Sequence, residues 1–399
     1  MICILFLPRL VEASGFSVYD FGAEEQAQGN AVTAQVESPS AVFYNPSGLS
    51  DLDGIQLKVG TSILFSEITF QSDTTNADTN IEPGPFFPSY LFVTSRLNDR
   101  WSAGFGVFSA IGNKVEYPKD WEGRFFLTSS ELLQLNFSPT IAYKISEKLS
   151  IGGGAVVTYA TFKRANQISL APLPGEGSLD VNADGVGVGG LIGAKLKFGA
   201  STFGVVYKSP MTITFKGDAD FSVPGLAGLF FQDGDIRSTQ KFPQMVIVGF
   251  AHQPVLDMTL EVDLQWTNWN SFDDQTLRFE NPVLGVQEVT VPFHWKDTWT
   301  VRVGGHYDVT DAVTVRLGYV FDPSAVHEET LSPLIPELDK HIVEGGIGFQ
   351  KGEWALDLFY GVIFGQSRKV DNSLPAMPIH QGTYDASGHG GGVSIRYRF

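Results

Sequence analysis

Val393-Ser-Ile-Arg-Tyr-Arg-Phe399 ends the chain with Val393, Ile395, Tyr397 and Phe399 on one parity and Ser394, Arg396 and Arg398 on the other. Successive side chains of a strand point to opposite faces, so this strand sets one face against an apolar medium and the other against a polar one. The same period recurs upstream. From Val186 to Phe198 the even positions read Val186, Val188, Gly190, Ile192, Ala194, Leu196 and Phe198, against Gly187, Gly189, Gly193, Lys195 and Lys197. Leu256, Met258, Leu260, Val262, Leu264 and Trp266 alternate with Thr259, Glu261, Asp263 and Gln265, and Val313, Val315, Leu317, Tyr319 and Phe321 with Thr314, Arg316 and Gly318. Charges lie opposite the apolar face throughout.

Hydrophobic residues make up 43% of the 399, yet they are dispersed in these short alternating runs and never form the long uninterrupted stretch a membrane helix requires. Forty-three Gly, 31 Phe and 12 Tyr suit turns, pleated strands and aromatic girdles. A net charge of −17 lacks the basic excess that nucleic acid demands, so no nucleic-acid partner is expected. Cys3 is the only cysteine, which excludes a disulfide framework and a thiolate metal site.

A soluble sandwich also alternates, with its apolar face as core; the connections separate the two cases. Short turns are expected at Asn98-Asp99, Ser146-Glu147-Lys148, Gly199-Ala200, Pro254-Val255, Asp308 to Asp311 and Lys351-Gly352. Long polar or Pro/Gly-rich connections fall between them, over 71–85, 117–129, 168–180, 221–238, 280–294, 322–340 and 370–385. Regular exchange of short and long connections predicts an all-β fold, a transmembrane antiparallel β-barrel of about fourteen strands, with short periplasmic turns and long extracellular loops. The terminal Phe399, with Tyr397 two residues before it, resembles the insertion signal of bacterial outer-membrane barrels.

Residues 14–52 lack that alternation and carry turn residues and weak helical content, so they are expected to form a small N-terminal hatch, or plug, inside a barrel of residues 53–399. Residues 1–13 read as a signal peptide without its basic start: an apolar run is followed by Val11-Glu12-Ala13, with cleavage exposing Ser14 or Gly15. A short buried strand is the other reading of that run.

Ser14-Gly-Phe16, Gly29 to Ala34 and Val42-Phe43-Tyr44-Asn45-Pro46-Ser47-Gly48-Leu49 resemble the hatch of the FadL/TodX family, outer-membrane transporters of long-chain fatty acids and hydrocarbons. Further likeness runs through Arg96 to Gly104, Glu116 to Arg124, Tyr207-Lys-Ser-Pro-Met211, Phe215-Lys-Gly217, Phe242-Pro-Gln-Met245 and Gln265-Trp-Thr-Asn-Trp269. The resemblance implies a diffusion channel, not an enzyme, working in the bacterial outer membrane as a monomer in contact with its lipid, without cofactor or metal. It implies capture of a hydrophobic small molecule on apolar extracellular loops, passage to a pocket in the barrel, and lateral exit at a kinked third strand. Leu226, Leu229, Phe230 and Phe231 are the candidates for capture; Phe16 and Tyr19 for the moving N-terminus; Asn45, Pro46 and Ser47 for the hatch motif; and Ser109, Gly112 and Asn113 for the kink.

In the family's fatty-acid branch basic residues hold the carboxylate, but the matching positions here are Asn166 and Val291. Parity turns Thr158, Phe162 and Arg164 inward, opposite Ile151, Ala155, Val157 and Tyr159, so Arg164 is one inward step from Asn166 and is the candidate replacement. A wall salt bridge is its other reading. Fatty acid and aromatic hydrocarbon therefore both stand as ligands.

Competing readings are weaker. Gly185-Val-Gly187-Val-Gly-Gly190 fits a dinucleotide fingerprint, but alternation continues where a helix should begin, and clearance for plug or ligand explains the glycines better. A barrel lipid hydrolase would need a nucleophile beside a base, and no histidine has metal-ligand or triad spacing; His306 reads as a polar wall contact. An unplugged porin is opposed by the hatch. Inward Lys58, Arg302, Arg316 and Arg396 are opposed by inward Glu261, Asp263, Glu344 and Asp357, and most are expected to be wall salt bridges that hold the hatch or the barrel interior.

Overall fold

A computed structural model describes residues 21–81, 84–370 and 381–399. Phe16 and Tyr19, the cleavage site and the apolar N-terminal run lie outside the described residues.

Fourteen strands form one closed antiparallel barrel. They are β1 (Ile55–Ser72), β2 (Ser89–Arg96), β3 (Trp101–Glu116), β4 (Ser129–Lys144), β5 (Leu149–Ser169) and β6 (Glu176–Phe198). Four interrupted strands follow: β7 (Ser201–Lys208, Met211–Ser222), β8 (Gly234–Phe242, Met245–Val255), β9 (Met258–Thr267, Asp274–Val283) and β10 (Val286–Pro292, Thr298–Thr310). The last are β11 (Val313–Asp322), β12 (Lys340–Lys351), β13 (Trp354–Gly365, Arg368–Val370) and β14 (Gly382–Arg398). A short strand, Asp78–Ile81, folds back on β1. Closure is made by the C-terminal strand: Val393, Ile395 and Tyr397 pair with Thr61, Val59 and Leu57. Among the described residues every strand has a partner on each side over at least part of its length, which removes both the aggregation risk of an open sheet and most of the cost of bare backbone in lipid.

The alternation places side chains as read. Val188, Ile192, Leu260, Val262, Leu317 and Ile395 are exposed on the outside, while Thr158, Lys195, Glu261, Asp263 and Ser394 are buried in the lumen. Connections differ in detail. The turn read at Pro254-Val255 falls at Leu256-Asp257, because a bulge after His252 lengthens β8 and lets Gln253 Nε2 donate to the Leu256 carbonyl at 2.7 Å. That at Asp308 to Asp311 narrows to Asp311-Ala312, again after a bulge. The connections read over 168–180 and 280–294 are mostly strand; the second is a hairpin turning at Leu284-Gly285, both with positive φ. There the outward face becomes largely polar while Leu179, Val181, Val283 and Val291 turn to the apolar interior, and backbone pairing continues.

Candidate functional site: a plugged lumen with an apolar upper chamber

The lower lumen is filled by residues 21–52, which contain two single-turn helices, α1 (Ala23–Gln26) and α2 (Ala41–Tyr44), and a 3-10 turn, Pro46–Asp51. Asn45 fixes that turn: its Oδ1 accepts from Ser47 N at 3.1 Å and Ser47 Oγ at 2.7 Å, and its Nδ2 donates to the Thr33 carbonyl at 2.7 Å and the wall carbonyl of Ala194 at 3.4 Å. Pro46 occupies the first position of the turn, where a missing N–H costs nothing. All three residues of the motif are buried.

Of the inward wall charges expected to hold the hatch or the barrel interior, most meet the plug. Lys58 Nζ meets Glu24 at 3.0 Å and Glu25 at 2.7 Å. Asp263 accepts from Val32 N and Thr33 N, and Glu261 from Ala34 N at 2.6 Å, so two wall carboxylates cap a run of plug backbone donors. Arg396 donates to the Glu37 carbonyl, Ser394 to Glu24, and His306 Nδ1 lies 3.0 Å from Gln28 Oε1. Arg316 with Asp357, at 2.7 Å, is a wall pair as read. At the periplasmic rim Asp51 pairs with Lys195 and Lys197, and Arg96 donates to the Ser50 and Leu52 carbonyls. Burial alone would raise the Asp51 carboxyl, but the two lysines outweigh it and hold it below its ordinary 3.8. Glu24 behaves alike: burial opposes its ionisation, yet Lys58, Arg396 and Arg316 keep it below its ordinary 4.5.

Wall glycines mark where the plug presses. A Cβ on Gly193 would overlap Asn45, on Gly204 the Thr33–Ala34 backbone, and on Gly304 or Gly318 the backbone at Gln28. Gly187, by contrast, lies under Met211 and Ile213 of β7 and not under the plug. Phe21 and Phe43 pack edge-on at 4.6 Å and both reach Phe108 of β3, at 5.0 and 5.2 Å.

Above the plug the lumen turns apolar. Ile68, Phe70, Val115, Val181, Ala183, Ile213, Phe215, Ile236 and Phe279 line it from the strands, and loop residues close over it. Tyr117 stacks on Trp121 at 4.1 Å and donates to the Pro333 carbonyl, tying loop 117–128 to loop 323–339, whose Leu331, Leu334 and Leu338 turn inward. Burial pushes the Tyr117 phenol well above its ordinary 10.0. Trp269, Phe272, Phe293 and Trp295 fill the gaps in β9 and β10, with Trp269 and Trp295 at 4.9 Å and Phe272 and Phe293 at 4.9 Å. Alternation could not find these rings, because they sit in breaks and loops; their aromatic character within polar connections was the available signal.

Arg164 points into this chamber. Its Nη2 donates to the Phe126 carbonyl at 2.8 Å and its guanidinium lies 5.2 Å from the Phe126 ring centre, while its Nε is buried without a hydrogen-bond partner. Among the described residues no carboxylate comes within ion-pair distance of it. Phe162 is beside it on the same face, 6.2 Å from Phe215. Asn166 donates to the Gln167 and Phe125 carbonyls, and Val291 packs against the apolar cluster. Leu226, Leu229 and Phe230 are strongly exposed on a 3-10 turn of the extracellular loop; Phe231 turns inward to Phe221, 5.7 Å away, which is 6.3 Å from Phe279 of the chamber. A string of rings thus joins the outer patch to the lumen.

β3 is kinked by a bulge: Phe108 pairs with Asn136 and Ile111 with Gln134, so β3 carries one extra residue at Ser109-Ala110. Its pairing with β2 ends at Phe108, and beyond that point the described pairing of β3 is to β4 alone. Gly112 lies above the bulge, its space filled by the Phe86 ring, and Asn113 continues the backbone pairing with Leu132.

A closed barrel, a plug in its lower lumen and an apolar interior above it define an outer-membrane channel for hydrophobic molecules. The family model described as outer membrane protein transport protein (OMPP1/FadL/TodX) matches residues 4–399, and the chain belongs to that family. It is 24% identical over 368 residues to a putative outer membrane protein of Neisseria meningitidis, covering 80% of this chain and 79% of that one. It is also 23% identical over 397 residues to a long-chain fatty acid transport protein of Salmonella typhi, covering 90% and 89%. Among solved structures, a Pseudomonas aeruginosa FadL homologue superposes with TM-score 0.88 at 20% identity, covering 97% of this chain and all of that one. The P. putida toluene transporter TodX gives 0.76 at 20%, covering 95% and 98%. The protein is an outer-membrane transporter of hydrophobic small molecules, and its family is one of channels, not enzymes.

Proposed function

We propose that the chain carries long-chain fatty acids, caught on Leu226, Leu229 and Phe230, passed along Phe231 and Phe221, and held in the chamber with the carboxylate at Arg164. The observation that carries this reading is a half-buried guanidinium whose Nε is buried and unused, in an otherwise apolar space. Burying a cation without an anion is costly, and a ligand carboxylate would relieve that cost. Asn45, Pro46 and Ser47 hold the plug in its docked form, and release occurs sideways where β3 leaves β2, at Ser109 to Asn113. Support for that exit is the contact of Phe21 and Phe43 with Phe108, which couples plug movement to the edge of the bulge. Residues 1–13 act as the export signal, the plug extends over 14–52, and the functional unit is the monomer.

A second reading is transport of neutral aromatic hydrocarbons. Asn166 and Val291 at the positions where the fatty-acid branch has bases favour it, as do the rings of Trp269, Phe272, Phe293 and Trp295. Mass spectrometry of small molecules retained by the detergent-extracted protein decides between the two. The first reading expects long-chain carboxylic acids near one per protein; neutral hydrocarbons alone would replace it with the second.

A further inference from the structure

Strand register places three cations side by side on the outer surface. Lys216 of β7 is directly opposite Arg237 of β8, and Arg237 is directly opposite Arg278 of β9. All three are exposed. Like charges directly opposite on neighbouring strands repel, and their Cβ atoms are only about 5 Å apart. Arg278 reaches Glu288 at 3.5 Å. Among the described residues neither Lys216 nor Arg237 comes within ion-pair distance of a carboxylate, although Asp184 is opposite Lys216 on β6.

The rows beneath and above this one give it a meaning. Lowest is the lipid-facing band, with Phe250, Val262, Leu264 and Trp299 exposed. Next comes a hydrogen-bonded chain across β7 to β10: Tyr207 to Gln244 at 2.9 Å, Gln244 to Asn268 at 3.3 Å, Asn268 to Asp297 at 3.1 Å. Then come four threonines joined in pairs, Thr214 with Thr239 at 3.1 Å and Thr276 with Thr290 at 2.9 Å. The cations follow, and Asp218, Asp235 and Glu280 stand one step farther out on the same three strands. Apolar, hydroxyl and cationic layers in that order match, layer for layer, an amphiphile with acyl chains, a sugar and phosphate groups. The carboxylates outside the cations repel an anion arriving from bulk solution, whereas one already in the membrane plane approaches beneath them.

We propose that this face of β7, β8 and β9 binds a phosphorylated glycolipid of the outer leaflet, its phosphates on Lys216, Arg237 and Arg278 and its acyl chains on the band below. Guanidinium groups bind phosphate through paired, charge-assisted hydrogen bonds, which suits two arginines in this row. The site is on the outer wall and does not depend on what the lumen carries.

The test titrates bisphosphorylated lipid A, the same lipid with its phosphates removed, and inorganic phosphate against wild type and the Lys216→Gln/Arg237→Gln/Arg278→Gln variant in detergent. Bound lipid is counted by native mass spectrometry. Wild type is expected to prefer the phosphorylated lipid by about tenfold or more, the variant to lose that preference, and inorganic phosphate to displace nothing. Equal preference in both proteins, no preference in wild type, or displacement by inorganic phosphate overturns the proposal. Should the triple variant yield no heat-modifiable barrel, Arg237→Gln alone is judged by the same ratio.

Discussion

Arg164, half-buried above the plug, and Asn45, fully buried within it, each lend themselves to a single substitution. If a carboxylate rests on Arg164, its charge-assisted hydrogen bond is worth roughly 1.5 to 3 kcal/mol, about ten- to a hundredfold in affinity. Arg164→Ala is therefore expected to weaken oleate binding by that factor and leave an alkylbenzene almost untouched, as read by calorimetry in detergent. Equal oleate affinities would remove the clamp. Asn45→Ala takes the acceptor from Ser47 and the donor from Thr33 in a fully buried place, a loss of about 1–3 kcal/mol. Faster proteolysis of the plug with an unchanged barrel is the outcome expected. Parity made Arg164 legible in the sequence, since one residue in two faces the lumen. The Phe126 carbonyl that accepts its hydrogen bond was not, because loop 117–128 has no period to place it.

Elements explain why the plug stays docked and when it lets go. Gly204→Leu would drive a side chain into the Thr33–Ala34 backbone, whereas Gly345→Ala meets only ordinary contacts, at 3.5 Å and beyond. Ion conductance should rise in the first and not in the second. Charge gives a second handle. Glu24 and Asp51 titrate below their ordinary 4.5 and 3.8, so the docking they supply is complete above those values and is lost as pH falls through the depressed ones. Conductance should be flat from pH 5 to 8 and climb reversibly only below about pH 4.5; opening that begins above pH 6 would mean other groups hold the plug. The bulge in β3 is testable as an element too. Deleting Ala110 restores regular pairing with β4 and should lower uptake of hydrophobic ligand without unfolding the barrel; unchanged uptake would move the exit elsewhere. Strand existence was plain from the period of two, but strand ends were not. Bulges after His252 and Asp308 shift turns by one or two residues, and the extensions of β5, β6, β9 and β10 largely lack the outward apolar face that marks the strands in the lipid-facing band.

At the scale of the molecule, a wall with two kinds of interior does two jobs. The lower lumen is polar because it must satisfy the backbone of a plug that has little regular structure of its own, and Asp263, Glu261 and Arg396 do so by bonding its N–H and carbonyl groups. The upper lumen is apolar, as the proposed passage of a hydrophobic cargo requires. Parity in the sequence showed which wall charges face inward but not what each one meets; the plug claims most of them, since it brings unmet backbone donors and acceptors into that space. Residues 21–52 fill the lower lumen, and their closing of an otherwise open barrel for a hydrophobic cargo is open to test. It is tested most directly by measuring single-channel conductance in planar bilayers, and uptake of a labelled hydrophobic ligand, for the intact protein and for one lacking residues 21–52. A large rise in conductance together with a fall in ligand uptake is the predicted result; equal conductance in the two proteins would contradict it.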